Sequence, residues 1–82
     1  MEKKEFICKT FYDKKQDAFA GFIGREPMVA FGMPISLYTE YATKEKIRDI
    51  LVKTDKMFRA KEFDDHTKGW DLVSIKIEIL DE

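Results

Sequence analysis

The single histidine, His66, follows Asp64 and Asp65, and His with Asp is a residue mix from which metal sites and acid–base pairs are made. A bound metal needs three or four ligands converging in a fixed geometry. Three successive side chains on a loop do not all turn toward one ion, so this stretch reads as a solvated acidic loop and no metal site is expected. The one cysteine, Cys8, ends the apolar run Phe6-Ile7-Cys8. A lone thiol closes no intrachain disulfide and builds no thiolate cluster, so Cys8 reads as a small buried hydrophobe in a reducing compartment. No Ser/His/Asp or Cys/His spacing rises above chance, and no catalytic residue is expected. Gly21-Phe22-Ile23-Gly24 lacks a third glycine and a following Lys-Ser/Thr, and it leads into a strand rather than a helix. It therefore fails both phosphate-cradling patterns, and no cofactor is expected.

Two further patterns bear on nucleic acid. Lys46, Lys53 and Lys56 lie along one flank of an expected helix and could meet phosphates. The same helix offers Asp49 to Lys53 and Asp55 to Arg59 at i, i+4, the ordinary dress of a solvated face. There are seven Phe, three Tyr and one Trp, enough to raise the question of a base-stacking sheet. The Lys/Arg-Gly-Phe/Tyr-Gly/Ala-Phe signature of such sheets is absent, and filling a core accounts for most of the rings. Nucleic-acid binding through Lys46, Lys53 and Lys56 is thus the alternative expectation.

The elements that must hold these residues are legible from periodicity. Glu5 to Tyr12 is β-branched and aromatic, and the polar stretch Asp13 to Asp17 ends it. Ala18 to Ile23 and Met28 to Phe31 form a hairpin around Gly24-Arg25-Glu26-Pro27. Gly32-Met33-Pro34 interrupts the second of these strands, and Ile35 to Tyr38 continues it as an edge. A helix is expected from Thr43, an N-cap, to about Arg59, because Ile47, Ile50, Leu51, Thr54, Met57 and Phe58 recur on one stripe. Lys61 to Gly69 reads as loop. Trp70 to Leu80 alternates strictly, with Val73, Ile75, Ile77 and Ile79 on one side.

These elements give an α+β class: a small antiparallel or mixed sheet of three to four strands with one helix packed on one face, in the order β-β-β-α-β. The 82 residues read as one complete small domain, residues 1–82, with a modest core and no room for a walled reaction chamber. A composition of 44% hydrophobic and 38% charged residues is that of an ordered globular protein. The longest apolar run is far short of the ~20 residues that span a bilayer, so a cytoplasmic protein with no membrane partner is expected. The net charge is −1, with a basic middle and an acidic tail, too weak an asymmetry to imply nucleic acid by itself.

Placing the faces yields the expected site. If the helix covers Val73, Ile75 and Ile77, it also covers Phe6, Cys8, Thr10 and Tyr12, since the opposite choice would strand the Lys9 ammonium in the core. Ile7, Phe11, Trp70 and Leu72 are then left on an uncovered face, a patch of the kind that binds another protein or a second copy of the chain. The competing arrangement has Lys61–Gly69 or Met33–Tyr41 folding over those residues within the monomer. The expected function is that of a non-enzymatic protein-binding module. An inhibitor, adaptor, regulator or self-associating subunit fits, and phage and mobile-element accessory proteins are often of this size.

Overall fold

In the computed structural model, the described residues are 3–55 and 58–80. Five strands and two helices follow one another as β1 (Lys3–Asp13), β2 (Ala18–Ile23), β3 (Glu26–Ala30), β4 (Tyr38–Thr39), α1 (Lys44–Thr54), α2 (Ala60–His66) and β5 (Trp70–Leu80). Every strand pairing is antiparallel. β1 is the spine of the sheet. Along one edge it pairs with β5 through eleven consecutive residue pairs, from Lys3↔Leu80 to Asp13↔Trp70. Its other edge is shared: β2 takes Phe11 to Asp13, and the short β4 takes Cys8 and Lys9. β3 closes that side by pairing with β2.

Turn chemistry explains why the first strands reverse where they do. The Asp13 carboxylate accepts from the backbone N–H groups of Lys15 (3.0 Å) and Gln16 (3.3 Å) and from the Gln16 amide. It thereby pre-forms the turn that Asp17 closes at φ +53°, a left-handed conformation that Asp tolerates. The β2–β3 loop is two residues, Gly24-Arg25, with Gly24 at φ +63° as a II′-type reversal requires.

The helical region departs from the expected single rod. Thr43 is the N-cap, its hydroxyl accepting from Lys46 N–H at 3.2 Å. The helix nonetheless stops at Thr54, where Asp55 is extended and caps it through a backbone bond to the Leu51 carbonyl. Met57, expected on the apolar stripe, lies outside the described residues. Phe58 is buried, and a second helix, α2, occupies most of the segment expected to be loop. Its first turn has no Ser, Thr, Asp or Asn cap; Glu62 instead accepts from the Arg59 backbone N–H at 3.5 Å. Thr67 ends it by donating its hydroxyl to the Phe63 carbonyl, and its own carbonyl accepts from Trp70 N–H and from the Lys44 ammonium. That one carbonyl ties both helices to the start of β5.

The core is aromatic. Phe11, Phe22, Phe58, Phe63 and Trp70 are buried, with Ile47, Ala20 and Ala42 filling between them. The Phe22 ring meets Phe58, Phe63 and Trp70 at centroid distances of 5.2, 5.7 and 5.3 Å. Phe11 meets Phe63 at 6.0 Å and Trp70 at 5.6 Å. The register puts Phe11, Ala20, Leu72 and Val29 on one face of the sheet, and both helices lie over it.

The opposite face is crossed by Ile35 and Ser36, which meet Gly21 of β2 and Thr10 of β1. The Ser36 carbonyl accepts from the buried Thr10 hydroxyl at 2.7 Å, and Ile35 sits so close to Gly21 that a Cβ there would lie 3.0 Å from it. Replacing Gly21 with valine is accordingly expected to overpack this contact and cost about 1–3 kcal/mol, read from urea denaturation. A variant as stable as the parent would show that residues 34–37 do not pack on the sheet.

Candidate functional site

The expected face assignment is reversed. Phe11 is fully buried and Trp70 is 8% exposed, both beneath the helices, and Leu72 packs against the same cluster. Of the four residues expected at an interface, Ile7 alone is well exposed, at the end of the ribbon beyond the helices. Lys9 strands no charge on the helix side. Its stem runs along the helix-side face and its ammonium donates to the Ala42 carbonyl at 3.3 Å, so the charge is carried to the rim of the core and satisfied there. Ile50, expected in the core against Val73, Ile75 and Ile77, is instead 61% exposed.

The residues expected under the helix lie on the opposite face, where Thr10 is buried beneath Ser36 and the others are at least partly exposed. Phe6 pairs with Ile77, Cys8 with Ile75, and Thr10 with Val73. Directly paired residues point to the same side of an antiparallel ladder, so these side chains, with Ile79, form one stripe along β1 and β5. Phe6 and Ile79 are about half exposed, while Cys8, Val73, Ile75 and Ile77 are partly covered. Cys8 is a free thiol on this stripe rather than a core residue. The sequence signal for the stripe was present: five aromatic rings demand more core volume than four β-branched side chains, and the rings cluster only if Phe11 and Trp70 face Phe63.

Beside the stripe, the part of β1 not covered by β2 or β4 borders an open groove of about 580 Å³ lined by Glu5, Phe6, Ile7, Cys8, Glu40 and Tyr41. A hydrogen bond to Glu40, reinforced by its charge, holds the exposed Tyr41 phenol above its ordinary range. Tyr38, which packs on Phe11, is pushed up by burial, against a smaller opposite effect from its hydrogen bond to Ser36.

The alternative anion site is not assembled as expected. Lys46 and Lys53 are exposed on α1, and Lys56 lies outside the described residues. Asp49 meets Arg48 at 3.4 Å, and Arg48 also reaches Asp64 at 3.7 Å, so acids are interspersed along the helical layer. His66 sets its ring edge-on to Phe22 at 6.1 Å. Among the described residues, no three His, Cys, Asp or Glu side chains gather as a metal set, and no helix is long and apolar enough to cross a membrane.

Comparison with protein-family models, with curated proteins and with solved structures found no match to this chain.

Proposed function

We propose that the chain is a non-enzymatic protein-binding module that works through the sheet face its helices leave open. One observation carries this reading: the register joins Phe6, Cys8, Val73, Ile75, Ile77 and Ile79 into a continuous apolar stripe with no helix over it. Apolar side chains scattered singly on a surface need no explanation, whereas a contiguous row marks an interaction site. An inhibitor, adaptor or regulator that occupies a surface needs nothing more elaborate than such a row.

The test is affinity capture from native lysate with the parent and with Phe6→Asp. Phe6 lies at an exposed position far from the aromatic core, so the variant should keep its thermal transition while partner retention falls about tenfold or more. Equal retention by a folded variant removes this face from the function. Salt-sensitive binding of random-sequence oligonucleotides that is lost in Lys46→Glu/Lys53→Glu would replace the reading with the nucleic-acid alternative.

A further inference from the structure

We infer that β5 is a self-pairing edge: two copies of the chain join by antiparallel pairing of β5 with β5 about Ile77, making one sheet continuous across both. The edge of β5 is separate from the open face and pairs whatever that face binds.

The sheet's outer strands are β3, the two-residue β4 and β5, and they differ in a way that points to β5. β3 is five residues long and carries Pro27, which offers no N–H, so it is blunted in the manner of protected edges. β5 runs eleven residues without proline or bulge, and its ladder to β1 is unbroken. Among the described residues its second edge has no strand beside it. The far end of the β1–β5 ribbon is also thin. Around Lys3–Ile7 and Lys76–Leu80 neither helix covers the ribbon, and Phe6, Ile7, Ile79 and Leu80 are each about half exposed on its two sides. Two strands alone are marginal in water, so this end gains most from added strands.

The charges select the occupant and the register. In antiparallel self-pairing, one residue sits on the twofold axis opposite itself, and its neighbours pair symmetrically about it. With Ile77 on the axis, Lys76 of each copy stands opposite Glu78 of the other, and Ile75 stands opposite Ile79. With Lys76 or Glu78 on the axis, like charges face each other, and with Ile75 on the axis Glu78 meets Leu72. Among the described residues of β5, Trp70–Leu80, only the Ile77 register places opposite charges in cross-strand pairs, and it does so twice. Sterics agree. The helices lie over the Trp70 end of β5, and an axis at Ile77 sends the two helical layers to opposite ends of the joined strands.

The experiment is a charge-reversal cycle read by sedimentation equilibrium across a wide concentration series. The parent should associate reversibly from its 9.7 kDa monomer to twice that mass. Lys76→Glu and Glu78→Lys should each remain monomeric, with dissociation constants raised about tenfold or more, because two attractive pairs become two repulsive ones. An equimolar mixture of the two variants should form a heterodimer, and Lys76→Glu/Glu78→Lys in one chain should restore the homodimer. Both side chains are about half exposed, so circular dichroism should show all variants folded. A parent that stays monomeric, a dimer indifferent to either reversal, or variants that fail to associate when mixed would each overturn the inference. A dimer lost in Phe6→Asp and unmoved by the charge variants would assign self-association to the open face instead.

Discussion

Replacing Phe63 with alanine is expected to cost the domain about 3–5 kcal/mol, the range for truncating a fully buried phenylalanine. Phe63 is 1% exposed and touches the rings of Phe11, Phe22 and Phe58, so nothing nearby is free to collapse into the space it leaves. An 82-residue domain has roughly 4–12 kcal/mol of stability to lose. Much of it would go with one side chain. Trp70 is the only tryptophan and is buried, so its emission should shift to the red at a much lower urea concentration than in the parent. Ile50→Asp makes the matching control: at a 61% exposed position its cost should fall within about 0.5 kcal/mol. A Phe63→Ala protein as stable as that control would remove α2 from the core.

Trp70→Ser is expected to be as damaging. The Trp70 indole sits against Phe11 and Phe22, and its backbone N–H donates to the Thr67 carbonyl that also holds Lys44. Truncation leaves a cavity among aromatic rings and places a hydroxyl beside it, a loss of about 3–5 kcal/mol before any new hydrogen bond is counted. Far-UV circular dichroism should show a thermal midpoint well below that of the parent. If the variant stayed folded and lost only its ability to associate, Trp70 would be an interface residue after all.

Strand signals are local and several were legible in the sequence, but β3 runs Glu26–Ala30 rather than Met28–Phe31 after a two-residue turn, and residues 35–37 form no strand that continues it. Ala18–Ile23 and Trp70–Leu80 match the expected ends, and the expected first strand is extended at both ends to Lys3–Asp13. The Thr43 cap needed no tertiary context either. The expected fold of three to four strands and one helix is coarser than the observed five strands and two helices. β4 is two residues long and exists only because Cys8 and Lys9 offer it an edge. α2 is capped at Arg59, a residue with no capping reputation, and its Asp64-Asp65-His66 run reads as an acidic loop until Phe63 is seen to need a helix to reach Phe11.

The inverted face is the instructive miss. Alternation in β5 reveals that two faces differ, but not which one is buried. One long, flexible lysine decided it wrongly, since Lys9 can keep its stem on the core side and still deliver its charge to Ala42. Aromatic volume was the better guide. A core that must house Phe22, Phe58 and Phe63 recruits Phe11 and Trp70 before it recruits Ile75 or Ile77.

The pairing of the first strand with the last also sets the order of assembly. Phe11 and Leu72 are direct partners about sixty residues apart in the chain, and the other pairs of that ladder are separated on the same scale or more. Closing so long a loop costs chain entropy before any contact repays it, so this ladder is expected to form after the local hairpin and helices. During synthesis β1 leaves the ribosome long before its main partner exists. The β2–β3 hairpin and the helices can form while they wait, but the spine of the sheet remains half-paired until β5 emerges, and for that interval Phe6 and Ile7 are available to any chaperone within reach.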